Sequence, residues 1–337
     1  MKTIPDWKIH YHLARVGIFL ITVALIVGMV GCGCTTTPSQ NLEIRDWYDL
    51  DSVRDNLAGN HTLMNDLDST TAGYTELASL TANQGKGWEP INDFTGTFDG
   101  QGYEIRDLFS NRPDEIFVGL FGLVDEGGVI EDVGVVNATV TGFVSVGGLV
   151  GENNGTVSNS YSSGDVTGGA ESFDVGGLVG EQKGTVSGSY STGSVTGEEK
   201  VGGLVGGNYG GCTVSNSYSS GSVTGNSSFG GLLGYNAGTV SNSYCTGNVS
   251  GRDDVGGLVG DGGGPVSNSF WDTETSGRNI SDGGTGKNTT EMQDITTFSG
   301  ATWSIVAVAN PSIRNTSYIW NIVNNVTYPF LSWQTVS

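Results

Sequence analysis

Val146-Gly-Gly-Leu-Val-Gly-Glu-Asn-Asn-Gly-Thr-Val-Ser-Asn-Ser-Tyr161-Ser-Ser-Gly-Asp-Val-Thr-Gly168 decides the fold, because the chain repeats it. The opening pattern occurs at Val118 to Gly122, Val146 to Gly151, Val175 to Gly180, Val201 to Gly206, Phe229 to Gly234 and Val255 to Gly260. A Val-x-x-x-aromatic element follows all but the first, at Val157 to Tyr161, Val186 to Tyr190, Val214 to Tyr218, Val240 to Tyr244 and Val266 to Phe270. A third apolar mark stands at Val166, Val195, Val223 and Val249. Each unit thus offers three short strands, and the basic period is 26 residues. Two units are longer, by three residues within Gly168 to Asp174 and by two within Gly207 to Thr213. Insertions of polar, Gly-rich residues belong in loops. The first unit lacks the aromatic and has Gly134 instead, as an atypical terminal repeat does.

Three strands and three Gly-rich corners per 26 residues fit one turn of a parallel β-helix. No helical stripe supports an α-solenoid. The expected fold is therefore all-β, a right-handed parallel β-helix with a short helical N-terminal cap and a small C-terminal cap. Val157, Asn159 and Tyr161 share one parity, which predicts that they point inward and that Ser158, Ser160 and Ser162 point outward. Asn159, Asn216, Asn242 and Asn268 would then stack as an internal amide ladder, broken at Gly188. Val146 and Leu149 differ in parity, which places a corner at Gly147-Gly148, where positive φ costs little.

The Gly-Leu-Val-Gly pattern with Asn-Gly-Thr-Val-Ser-Asn-Ser-Tyr resembles the GLUG repeat of exported bacterial and archaeal surface proteins, including regions beside some IgA-cleaving metalloproteases. The resemblance covers Val118 to Phe270 and implies an architecture rather than an activity. Asn65-Asp66-Leu67-Asp68, Trp88-Glu-Pro and Phe98-Asp-Gly-Gln-Gly102 are similar to the segment that commonly leads into such repeats.

At the N-terminus, Lys2, Lys8 and Arg15 precede the apolar run Ile18 to Val30, which is short for a span and long enough for a signal sequence. Met29-Val30-Gly31-Cys32 resembles a bacterial lipobox, with Met29 in place of the usual Leu. The resemblance implies a lipid anchor on Cys32 and an exported body; an uncleaved signal anchor is the alternative. The expected organisation is signal 1–31, linker 32–44, N-terminal cap and first coils 45–117, six repeat coils 118–270, and a C-terminal cap or small module 271–337. Asp46 to Ala58 reads as a helix with Asp46 as N-cap and Gly59 as stop. The tail predicts a helix over Thr290 to Phe298 and strands at Tyr318 to Val323 and Tyr328 to Trp333.

Composition narrows the function. Of 337 residues 56 are Gly and only 7 are Pro, without a Gly-X-Y period, which excludes collagen and disfavours a helical bundle. A net charge of −21 and no basic block exclude nucleic acid as a favoured partner. Beyond the signal only His61 remains of three His, so no zinc helix and no Ser-His-Asp or Cys-His constellation can be assembled from two partners. The protease found beside some of these repeats is therefore not expected in this chain. Acids of the repeats sit at corners, and no acidic pair recurs in register on a strand face, as a polysaccharide lyase or hydrolase would need. Asp66 with Asp68, or Asp253 with Asp254, offers oxygen ligands for Ca²⁺. The Gly-Asp nonapeptide of calcium β-rolls is missing, so no cofactor and no metal site is expected. Cys212 and Cys245 lie seven positions out of register one coil apart, roughly 23 Å along the strand at about 3.3 Å per residue, too far to bridge.

The leading expectation is a non-catalytic, lipid-anchored cell-surface protein that presents a β-helix for adhesion or for binding an extracellular glycan or surface protein. A polysaccharide lyase or hydrolase and a purely structural envelope component are the alternatives. Selectivity in a regular solenoid should come from its breaks, so the candidate ligand loop is the first insertion, with Glu171, Phe173 and Asp174. An aromatic between two acids there would stack on a sugar while the carboxylates take its hydroxyls.

Overall fold

Each strand of a repeat stacks in parallel on its counterpart one unit later, and this pairing builds the molecule. The structure is a computed structural model and describes residues 41–334. The signal segment, the lipobox and Cys32 lie outside the described residues. A nine-stranded sheet, here the Val sheet, runs from Leu42–Ile44, Asn60–Leu63 and Thr97–Asp99 through the Thr-Val-Ser strands to Val266–Ser267. A six-stranded Gly sheet runs from Phe121–Val124 to Val259–Gly262. The Tyr sheet has fourteen strands. The fold is a parallel β-helix.

Register follows the sequence repeat. Val157, Val186, Val214, Val240 and Val266 oppose one another in turn. So do Val150, Val179, Val205, Leu233 and Val259. The long insertion is a bulge: pairing passes from Gly168 with Gly142 directly to Phe173 with Val144. The Val and Leu of the coils, such as Val146, Leu149, Val150, Val157 and Val166, form one continuous buried core, with Val255 and Val266 of the last coil partly buried against it. A coil removes that surface from water only against its neighbours, so the array is cooperative along its axis.

Side-chain direction departs from simple alternation. Asn159, Asn216, Asn242 and Asn268 do not point inward; they take left-handed φ of 46–49°, and Gly188 at the same place has φ 58°. Asn and Gly are the residues that tolerate this conformation, so Gly188 continues a corner rather than interrupting a ladder. The corner inverts parity, and the following serine turns inward. Ser160 donates to Ser158 O at 2.8 Å and accepts the Val133 N–H at 3.3 Å, and Ser189, Ser217, Ser243 and Ser269 also donate to the carbonyl two residues back. A buried amide ladder does exist, one corner away. Asn153 donates to Gln182 and Asn208 to Asn236, each at 2.8 Å and each residue 0 % exposed.

The corner beside Gly147 falls at Gly148-Leu149, and its glycines are needed for space rather than for positive φ. A Cβ on Gly148 would stand 2.0 Å from Ser162 Oγ and 2.7 Å from Gly177 O.

The tyrosines leave the coil on the outer side. Tyr161, Tyr190, Tyr218 and Tyr244 stack at centroid distances of 4.7, 4.9 and 5.0 Å with planes within 8°. That spacing is the distance between parallel strands. The C-terminal segment roofs this ladder, forming a second core from Phe270, Met292, Phe298, Trp303 and Trp320. In place of one helix over Thr290 to Phe298 there are two, Thr289–Met292 and Ile295–Gly300, because Asp294 caps the second by accepting from Thr296 N. Short strands Ile305–Ala307, Trp320–Ile322 and Phe330–Leu331 complete it.

At the other end Asp46 accepts from Asp49 N and starts the helix Trp47–Asp51, continued as a 3₁₀ turn Ser52–Asn56. Its Trp47, Leu50 and Val53 enter the main core with Ile44, Leu63 and Trp88. Cys212 and Cys245 are free and buried; Cys245 opposes Ser219, seven residues beyond Cys212.

Candidate functional site

The two insertions, far apart in sequence, meet at one outer corner of the solenoid. The corner is a column of residues with positive φ just before each Val-Gly-Gly element, including Ser145, Asp174 and Lys200. The second insertion adds two residues between Asn208, which opposes Asn236, and Thr213, which opposes Thr239. It brings Tyr209 back onto the first. The Tyr209 hydroxyl lies 2.8 and 3.0 Å from the Asp174 carboxylate oxygens and accepts from Lys200 Nζ at 2.9 Å. The same ammonium sits over the rings of Phe173, Tyr235 and Tyr209 at 3.9, 4.7 and 5.0 Å. An ammonium enclosed by three rings is held by their quadrupoles.

Beside this cage is a second charged group. Lys183 bridges Glu181 at 2.6 Å and Glu152 at 3.1 Å, and Ser145 Oγ donates to Glu181 at 3.0 Å. Burial pushes the Asp174 carboxyl up to about 8, against the pull of the Lys200 ammonium. Burial and Glu152 push Glu181 up as well, against Lys183. Burial opposes the Lys183 charge, yet Glu181 and Glu152 hold its pKa above the usual value. Burial thus pushes two of the acidic groups, Asp174 and Glu181, toward their neutral forms.

Of the three loop residues singled out from sequence, Glu171 is exposed, Phe173 is half-buried beneath Lys200, and Asp174 is buried and bonded to Tyr209. The patch therefore presents Glu171, the outer edge of Phe173 and Tyr235, while Asp174 fixes their scaffold. Sequence reasoning missed Lys200, Tyr209, Tyr235 and Lys183. The second length anomaly, which contains Tyr209, was the signal that could have found them.

Other chemistry-bearing residues serve the fold. His61 is buried against Phe94, its Nε2 lies 2.9 Å from Asn56 O, and burial lowers its pKa. Asp68 accepts from Thr70 and Thr71 and closes a local turn, and Asp66 accepts from Glu104 N and ties two coils together. No group of three or more His, Cys, Asp or Glu able to hold a metal ion occurs among the described residues. No helix among them is long and apolar enough to cross a membrane.

Residues 144–167 and 197–224 match the GLUG motif. Over 132 residues the chain is 39% identical to halomucin of Haloquadratum walsbyi, a match that takes in 36% of this chain and 1% of that protein. Over 119 residues it is 38% identical to a candidate Gly-rich membrane protein of Evansella cellulosilytica, covering 33% of this chain and 13% of that one. The chain thus spans a small part of the curated relatives it matches. The crystal structure of a candidate immunoglobulin A1 protease from Bacteroides ovatus aligns over 89% of this chain and 94% of that chain, with a TM-score of 0.61 and 21% identity. That likeness shows the fold.

Proposed function

We propose that this GLUG-repeat β-helix is a non-catalytic surface protein, held to the membrane through an acylated Cys32, whose insertion patch binds an extracellular glycan or surface protein. The observation that carries the reading is the meeting of the two insertions at Asp174 and Tyr209. A solenoid of like rungs offers like side chains along its length, and loops braced on a rigid scaffold are where recognition residues concentrate. The patch combines an exposed carboxylate, aromatic edges and a caged ammonium, which suits a polyhydroxyl or mixed-charge ligand better than an apolar one. The names of the relatives, a halomucin and a candidate membrane protein, support a place at the cell surface. At this patch the binding reading is favoured over a hydrolase or lyase because Asp174 and Glu152 are 1% and 0% exposed, with Tyr209 and Lys183 against them. Such carboxylates have no open face for a substrate.

Deleting Gly169, Ala170 and Glu171 restores the 26-residue spacing without touching the core. The expected result is an unchanged melting temperature with loss of binding to cells. Unchanged binding to cells with an unchanged melt would assign this loop to structure.

A further inference from the structure

A second irregularity lies at a different corner, where the tyrosine ladder stops. Gly134 stands opposite Tyr161 and supplies no ring, and the Tyr161 ring lies against it. On the neighbouring rung, Gly188 takes the place held by Asn elsewhere, and the Trp333 indole of the C-terminal module donates to its carbonyl at 3.0 Å. Trp333 thereby leans over Tyr190 and Tyr161, with centroids 5.8 and 6.3 Å away. Beside Tyr161 and Trp333 is a cleft of about 300 Å³, lined also by Gln101, Gly102, Asp132 and Asn159.

The lining has a definite chemistry. The lining offers two aromatic rings, a carboxylate and two primary amides, and Asn159 hydrogen-bonds Asp132. A volume of that order is the lower end of the small-molecule range, about 300–1,000 Å³. Ring faces with adjacent donors and acceptors match the C–H face and vicinal hydroxyls of a pyranose. The surroundings are acidic, since Asp99 raises the pKa of both Asp132 and Glu131 after the larger effect of burial, and Glu104 accepts from the Tyr161 hydroxyl. Phosphates and uronic acids would be repelled. A polyproline strand would need a longer aromatic groove than two rings supply.

We infer that this cleft is a binding subsite for an uncharged sugar residue of an extracellular polysaccharide, with Trp333 and Tyr161 taking the ring face and Asp132, Asn159 and Gln101 the hydroxyls. The site is incomplete without the C-terminal module, because the repeats supply Tyr161 and the module supplies Trp333. It shares no residue with the insertion patch.

The test is calorimetric titration of the full-length protein with cellohexaose, chitohexaose, hexagalacturonate and decaproline. At least one uncharged hexasaccharide should bind saturably and about tenfold tighter than hexagalacturonate. Trp333→Leu should weaken that binding about tenfold while Trp333→Phe retains most of it. Asp132→Asn, which keeps the shape, should weaken it about threefold and decides the matter if Trp333→Leu does not fold. Deletion of residues 169–171 should leave it unchanged, so this inference and the insertion-patch reading fail separately. No binding of either uncharged hexasaccharide, equal or tighter binding of hexagalacturonate or decaproline, or wild-type affinity in Trp333→Leu and Asp132→Asn would each overturn the proposal.

Discussion

Replacing Tyr218 tests whether the aromatic ladder is the seam between the solenoid and its C-terminal module. Tyr218 is 6% exposed, stacks on Tyr190 at 4.9 Å and on Tyr244 at 5.0 Å, faces Trp320 at 6.1 Å, and donates to Gln334 Oε1 at 3.1 Å. Tyr218→Phe removes only that hydrogen bond and should cost about 1 kcal/mol. Tyr218→Leu keeps most of the burial but loses two stacked pairs, each worth about 0.5–1.5 kcal/mol, so about 1–3 kcal/mol is expected. Tyr218→Ala leaves a cavity between coil and module and should cost about 3–5 kcal/mol. Urea unfolding followed by far-UV circular dichroism gives the three values. Limited proteolysis should show the segment after Gly277 cut sooner in Tyr218→Ala, since the ring's partners Trp320 and Gln334 both belong to the module. A cost below about 1 kcal/mol for Tyr218→Ala would refute the seam. So would an unchanged cleavage rate.

Asp174 is raised above its unfolded value and is neutral in the fold at mid-range pH, so its contribution to stability should be lost as pH rises from about 4 through about 8. Wild type should lose urea resistance between pH 5 and 8.5 relative to Asp174→Asn; a difference that does not change with pH contradicts the buried carboxyl. Gly206→Ala would place a Cβ 2.5 Å from Asp174 C and Val175 N and should cost about 1–3 kcal/mol, whereas Gly210→Ala, with nothing within 4 Å, should be near neutral; equal melting temperatures would count against the tight coil contact. Cys245 stands in the serine column opposite Ser219 and lies 2.9 Å from Gly257 O as Ser219 lies beside Gly231 O, so Cys245→Ser should melt close to wild type, and the native Cys245 thiol, its pKa pushed up by burial, should react slowly with a disulfide reagent. Recovery of a Cys212–Cys245 peptide would refute the register.

Much of the fold was legible because the repeat itself encodes register. The recurrence of Val157 at Val186, Val214, Val240 and Val266 is the same information as their pairing, and the two length anomalies marked the bulge before Asp174 and the loop that carries Tyr209. What hydropathy could not reveal was the backbone inversion at Asn159. A polar residue between two apolar ones of like parity reads as part of one straight strand, whereas its left-handed φ sends Ser160 inward and Tyr161 outward. The alternation of Asn with Gly at that position was the available signal. The tyrosines read as core residues by their pattern, but their cover comes from a module far along the chain, as between Tyr161 and Trp333. The candidate loop was legible as a place. Its chemistry was not, because the partner that buries Asp174 stands 35 residues later, in another coil.

The distribution of the breaks joins fold to function. From Tyr218 to Phe270 the aromatic column is in register, and its outer face is spent on holding the C-terminal module. The missing ring at Gly134, the missing amide at Gly188 and both insertions fall between residues 134 and 213. Each coil pairs only with its neighbours, so a break can be carried without disturbing the rest of the array. The two insertions meet in the charged aromatic patch, and Trp333 of the C-terminal module completes the cleft beside Tyr161.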